Sequence, residues 1–308
     1  AVSRIAATGG TVHFAESVEM TADVVLPAYS EPITFTGEIA DNGLATTGIV
    51  IVSTTKKLTL GGPTIFDGIL IKGNSQTKQS SVIIVGNWNN VSFGYIRVVW
   101  NALIDFYAGQ VRPTGDDTEK KNITINIDGA AITSDNIDNH NLFRTIMLGS
   151  LFGAADQTIS NKTITLNVKS GRLHNNTTDR TLQAYIQTLY TMSTTLNDIA
   201  FAACQTPDCS TTVNLYGNSI VKTLRTGDKN VNEAADYAGK GYLDTLALNF
   251  YDNASLGATG VVRNTKNTTL HVSSAAEGRT TPMDYGIQFA AFGTFAESMN
   301  GTVKAAYG

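Results

Sequence analysis

The chain has 308 residues, 42% of them hydrophobic and only 16% charged, with a formal net charge of −4 and a pI near 5.6. That apolar share excludes global disorder, and the charged share lies well below the roughly 25% of ordinary soluble domains. No basic stripe is present to meet a phosphate backbone, which argues against a nucleic-acid partner.

The sequence opens AVSRIAA, which fits a mature chain after removal of a signal peptide and predicts an extracellular or cell-surface location. Short strands are then expected at 11–14 (TVHF), 33–36 (ITFT), 49–52 (IVIV), 58–60 (LTL), 64–66 (TIF), 69–71 (ILI), 82–85 (VIIV) and 91–93 (VSF). Gly and Asn separate them, which is the punctuation of an all-β chain. Residues 95–109 (YIRVVWNALIDFYAG) form the nearest thing to a spanning segment. Arg97, Asn101 and Asp105 interrupt it short of the roughly 18 apolar residues required, so no transmembrane segment is expected. Residues 115–121 (GDDTEKK) are the densest charge cluster and are expected as a solvated loop.

Beyond this point four letters recur: TINI at 124–127, TLNV at 165–168, TVNL at 212–215, ALNF at 247–250 and TLHV at 269–272. Strict alternation is the mark of a strand with one buried face. It places Ile125/Ile127, Leu166/Val168, Val213/Leu215, Leu248/Phe250 and Leu270/Val272 inside. Asn126, Asn167, Asn214, Asn249 and His271 then share the other face. A turn residue and another apolar residue follow the first four cores, as in Leu215-Tyr-Gly-Asn-Ser-Ile220. The cores keep no fixed period, which fits stacked coils joined by loops of differing length. Each coil would bury its apolar face on its neighbours, and identical polar residues would pair as ladders.

The expected architecture is therefore all-β: stacked β-arches or a right-handed parallel β-helix (solenoid) with few short helices. It forms one elongated domain over 1–308, with less regular strands over 1–110 and recurring coils over 111–308. The i, i+3, i+4, i+7 spacing of Leu182, Tyr185, Ile186, Leu189 and Tyr190 predicts one helix, and 232–237 (NEAADY) a second. Residues 286–295 (GIQFAAFGTF) read as a last coil or as an edge that pairs with another chain. No polar cap is visible at either end, which favours polymerisation.

Motifs for chemistry are sparse. The four histidines, His13, His140, His174 and His271, have no zinc-hydrolase spacing. There is no nucleophile elbow, Walker loop or dinucleotide fingerprint. We expect a protein that turns over no substrate and needs no cofactor. Asp135, Asp138 and Asn139 in 134–141 (SDNIDNHN) are the best oxygen set for a hard cation, but the loop lacks the glycine and glutamate of an EF-hand and reads as a polar turn. The doublet Asp116-Asp117 is the obvious carboxylate pair for glycosidic or polyuronide cleavage, against the simpler role of a solvated surface.

Cys204 and Cys209 flank a Pro-containing turn. A short disulfide is favoured there over two thiols or an incomplete metal pair. Eight Asn-x-Ser/Thr sequons occur, at Asn90, Asn122, Asn161, Asn175, Asn176, Asn253, Asn267 and Asn300. They are glycosylation acceptors if the chain is exported, and chance triplets of an Asn/Thr-rich chain otherwise. Trp88, Tyr95, Trp100 and Tyr107 are close in sequence, and Trp88 and Trp100 are the candidate sugar platforms, against ordinary packing roles.

With Gly9-Gly-Thr-Val12, the Pro-bearing loop at Leu26-Pro27-Ala28 and its Thr-led alternating strands followed by Gly, the chain resembles the β-helical repeat regions of secreted surface proteins of anaerobic bacteria. In composition it is similar to the amyloid-like sheath protein of methanogenic archaea: Thr/Asn-rich, charge-poor and bearing sequons. Both resemblances imply a structural, self-assembling protein of a sheath, surface layer or fibre, whose partners are copies of itself and cell-surface glycans. A carbohydrate-binding or adhesive β-helix module is the alternative, ahead of a polysaccharide lyase or hydrolase.

Overall fold

The computed structural model describes residues 1–52, 55–73, 80–99, 102–109, 117–128, 143–149, 160–169, 185–192, 208–226, 243–262, 265–289 and 303–307. Within them the chain winds through ten stacked coils. The first is β1 (Gly10–Phe14), β2 (Val18–Met20) and β3 (Val24–Val25); the second is β4 (Ile33–Gly37), β5 (Gly48–Ile51) and β6 (Lys57–Leu60). The third is β7 (Thr64–Phe66), β8 (Ile69–Lys72) and β9 (Ser80–Gly86); the fourth is β10 (Val91–Phe93), β11 (Ile96–Val99) and β12 (Ala102–Ala108). Two-strand coils follow: β13 (Lys121–Asp128) with β14 (Phe143–Leu148), β15 (Lys162–Lys169) with β16 (Tyr185–Met192), and β17 (Ser210–Leu215) with β18 (Ile220–Thr226). The eighth coil is β19 (Leu243–Phe250), β20 (Ser255–Leu256) and β21 (Gly260–Val262). The ninth is β22 (Thr265–Val272) and β23 (Ile287–Phe289), and β24 (Val303–Tyr307) belongs to the tenth.

Each coil adds a strand to a front sheet ordered β1-β4-β7-β10-β13-β15-β17-β19-β22-β24. The back sheet runs β3-β6-β9-β12-β14-β16-β18-β21-β23, with β20 beside β18, and a side sheet runs β2-β5-β8-β11. Successive coils pair in parallel, so the fold is the expected all-β stack of coils. All eight strands expected before residue 95 lie within or overlap an observed one.

Parallel register turns sequence repeats into columns. Ile33, Thr64, Val91, Ile125, Leu166, Val213, Leu248 and Leu270 form one inward column of the front sheet. Phe35, Phe66, Phe93, Ile127, Val168, Leu215, Phe250 and Val272 form the next. The early coils stack rings: Phe35 on Phe66 at 5.4 Å and Phe66 on Phe93 at 5.3 Å, both near-parallel. Phe93 then meets Phe106 and Phe143 edge-on, and Ile127, Val168 and Leu215 continue the column up to Phe250. Each fully buried side chain of this kind contributes about 1.5–3 kcal/mol, and one continuous core runs from Val2 to Leu270.

Two sequence expectations fail. Where the spacing of Tyr185, Ile186, Leu189 and Tyr190 predicts a helix, the chain forms strand β16 (Leu182 lies outside the described residues). The cause is a register shift: Ile104 pairs with Phe143 but Asp105 pairs with Thr145, so Arg144 is one residue extra. The next coils keep that insertion in step, with Phe143, Ile186 and Val221 aligned and Ile146, Leu189 and Leu224 aligned. Inward residues therefore fall three apart, which imitates helical periodicity in a bulged strand. The extra Arg144 pairs with Asp105, a carboxylate only 1% exposed. Residues 232–237 lie outside the described residues.

Secondly, the N-terminal end is capped. Helix α1 (Val2–Ile5) puts Val2 into the core, packs Ile5 against it and leaves Ser3 and Arg4 in solvent. The amphipathic turn is too short for its periodicity to show in sequence. On the outside of the side sheet, Ala45, Leu70, Tyr95 and Val99 form a second small cluster, closed by Arg97 Nη1 donating to the Ala45 carbonyl at 2.9 Å. No helix among the described residues is long and apolar enough to cross a membrane.

Candidate functional site

The outward face of the front sheet carries rows of polar residues held in register from strand to strand. In its central row, Ser92, Asn126, Asn167, Asn214, Asn249 and His271 are in register on β10, β13, β15, β17, β19 and β22. Asn126 Nδ2 donates to Ser92 Oγ at 3.3 Å, and Asn167 Nδ2 donates to Asn126 Oδ1 at 2.9 Å. Asn214 Nδ2 donates to Asn167 Oδ1 at 2.8 Å, and Asn249 Nδ2 donates to Asn214 Oδ1 at 2.7 Å. The carboxamides thus point head to tail along the stack, an arrangement in which each bond polarises the next. All four asparagines are half-buried.

A second row is Thr124, Thr165, Thr212, Ala247 and Thr269; a third is Asn122, Thr163, Ser210, Thr245 and Asn267. None of these positions is acidic or basic except His271. The first side chains of opposite sign stand at the border, where Lys169 lies 3.9 Å from Asp128. On the same border in later coils, Tyr216 stacks on Tyr251 at 4.7 Å, and Tyr251 leans on His271 at 5.3 Å.

A different constellation closes the turns that lead into the front sheet. Lys162 has the inward parity of β15 and is 2% exposed. Its Nζ donates to Asp117 Oδ1 at 2.9 Å, to the Ser160 carbonyl at 3.0 Å, to the Asp117 carbonyl at 3.1 Å and to the Glu119 carbonyl. It also sits 5.6 Å from the centroid of the Trp88 ring, within cation–π range. Burial alone would push the Asp117 carboxyl up. The Lys162 hydrogen bond and the charges of Lys121 and Lys162 outweigh burial and hold it below the usual carboxylate range. Asp117 is therefore not the solvated side chain expected of its loop, because an inward lysine one coil away needs a counter-charge. Asp116 lies outside the described residues.

Trp88, expected as an exposed platform, is 8% exposed and belongs to the core; its backbone takes φ +55°, and its indole N–H has no hydrogen-bond partner among the described residues. The turn between β9 and β10 folds the ring inward over Lys162, which excludes it as a sugar platform. Tyr95 is likewise buried and Tyr107 half-buried, while Trp100 lies outside the described residues. Nothing in the local sequence marks Lys162 as buried, except that it precedes Ile164 and Leu166 at the same parity.

Among the sequons, Asn122 is exposed on β13. Asn90 Oδ1 accepts from the Thr124 amide at 2.8 Å, and Asn161 Nδ2 donates to the Thr118 carbonyl at 2.9 Å. Asn253 Oδ1 accepts from the amides of Thr280 and Thr281, and Asn267 Nδ2 donates to the Asp244 carbonyl at 3.3 Å. Asn175, Asn176 and Asn300 lie outside the described residues, as do Cys204 and the candidate cation loop 134–141. Cys209 is buried, and burial pushes its thiol up to about 11. Comparison with known proteins finds no matching family model, no matching curated protein and no matching solved structure.

Proposed function

We propose that this chain is a structural protein of the cell exterior that self-assembles into a sheath, surface layer or fibre and turns over no substrate. The observation that carries this is the pair of one-dimensional lattices running through the coils: the amide ladder from Ser92 to Asn249 outside and the continuous side-chain columns inside. Both extend by adding one more coil in register, and stability in such a stack is close to a sum of nearest-neighbour terms. A material that must bear load along one axis is well served by this design. Val18 and Val25, on the outermost strands of the side and back sheets, are 55% and 74% exposed and give a further coil apolar surface to cover. Helix α1 limits that docking to the part of the end it leaves uncovered.

Negative-stain microscopy of the purified chain tests the proposal. Ordered polymers are expected, and V25K should slow their growth while leaving the melting curve unchanged. Monodisperse particles at every concentration would end it. The alternative of a carbohydrate module built on tryptophan platforms loses Trp88, which is in the core.

A further inference from the structure

We infer that the outward face of the front sheet, over β13, β15, β17, β19 and β22, is a binding face for an extended, neutral polysaccharide lying along the stack. The inference is independent of self-assembly. Charge sets the first constraint. Apart from Ala247 and His271 the three rows of this face hold hydroxyls and carboxamides, and the charges at their border, Lys169 and Asp128, face each other, so an anionic polymer meets no cluster of cations there. A neutral polyhydroxyl ligand is matched in polarity.

Spacing sets the second. Parallel strands repeat about every 4.8 Å, and alternate residues along a strand about every 6.6 Å. The hydroxyls of Thr124, Thr165 and Thr212 therefore recur at close to the length of one extended pyranose unit. Among the described residues they make no hydrogen bond, and each ladder asparagine donates only one of its two N–H groups. Donors and acceptors are thus held in place before the ligand arrives, which reduces the ordering cost of binding. The Tyr216–Tyr251 stack adds an apolar border on one side.

A second copy of the chain is a poorer occupant. Protein interfaces centre on an apolar, desolvated core, and this face has none: pairing it with itself would strip water from rows of hydroxyls. A polysaccharide keeps much of that water as bridges.

The test uses the full chain in affinity gels and pelleting assays with microcrystalline cellulose and with chitin, and polygalacturonate as the anionic comparison. A lane without polysaccharide corrects for self-assembly. Retention by at least one neutral polymer and not by polygalacturonate is expected. The outward double variant T165E/T212E should weaken retention about tenfold or more. K222E, on the exposed back sheet with the same change in net charge, should bind as wild type. The milder T165V/T212V keeps the strand shape and should also lose affinity, which guards against misfolding of the first variant. No retention of wild type by either neutral polymer overturns the inference, as does unchanged binding of both double variants. Loss of an oligomer in T165E/T212E without any polysaccharide binding would reassign the face to self-docking. Because binding is read by retention and assembly by microscopy, either proposal can fail alone.

Discussion

Replacing Lys162 by Met tests how the turns are held shut. Methionine keeps most of the volume, so the loss is electrostatic and not a cavity. The ammonium has four oxygen partners, two of them on Asp117, whose carboxylate is only 9% exposed. Removing one member of a buried, hydrogen-bonded pair costs about 3–5 kcal/mol. Lys121, 3.6 Å from Asp117 Oδ2, still offers partial compensation, which points to the lower end, about 3 kcal/mol. K121M, by contrast, removes a partly exposed partner and should cost under about 1 kcal/mol. The double variant D117N/K162M should recover part of the loss, because no charge is left stranded. Guanidinium unfolding followed by circular dichroism gives the totals, and amide exchange over 117–121 and 160–163 shows whether the weakening is local. A K162M loss below about 1 kcal/mol, or a double variant as unstable as the sum of its parts, would refute the buried-pair account.

The same pair predicts an acid dependence. Asp117 has a folded pKa below its unfolded value, so its contribution is present above about pH 4 and disappears as pH falls through the folded value; K162M should flatten that limb of the stability curve. N214A breaks two ladder bonds and should cost about 1–2 kcal/mol, whereas N249A breaks one and should cost about half as much; equal losses by chemical denaturation would contradict the ladder. V213D and L215D place a charge at positions 1% and 0% exposed and should abolish the cooperative melt. G61A would drive a Cβ into the Pro27 carbonyl and should lower the melting temperature, although Gly61 lies in no repeat core. Burial and the raised thiol predict that Cys209 is not labelled by iodoacetamide at pH 8 in the folded state. Unfolding without reductant then separates the cases: labelled cysteines exclude the Cys204–Cys209 disulfide, and labelling only after reduction supports it.

What the sequence shows plainly is what period two can carry. The TINI, TLNV, TVNL, ALNF and TLHV cores sit in exact register on neighbouring strands, because one buried face forces one parity. The back sheet is harder to read. Its strands carry the Arg144 insertion, so Phe143/Ile146 and Ile186/Leu189 break the alternation that identifies the front sheet. Residues 102–108 fail for another reason: β12 is buried on both faces, with Leu103 and Asp105 as enclosed as Ile104 and Phe106, and a strand buried on both sides loses its alternation. Lys162, Asp117 and Trp88 meet across three different turns, a juxtaposition made by stacking and absent from any local window.

The ladder also answers how coils of unequal length stay aligned. A slip of one residue between β15 and β17 would turn Asn214 into the core and Val213 out of it, which burial forbids. A slip of two keeps every apolar residue inside and so costs little in hydrophobic burial. It would instead set Asn214 against Thr165 or Lys169, breaking the bond to Asn167 and dividing the chain of amides in two. The apolar columns therefore choose the face, and the asparagines choose among the registers that share it. This selection matters most where the connecting loops vary, since a longer loop tolerates a two-residue slip at small entropic cost. A half-buried amide repeated at one position per coil is thus a folding determinant first, and its unspent N–H groups become available to a ligand only because the register is already fixed.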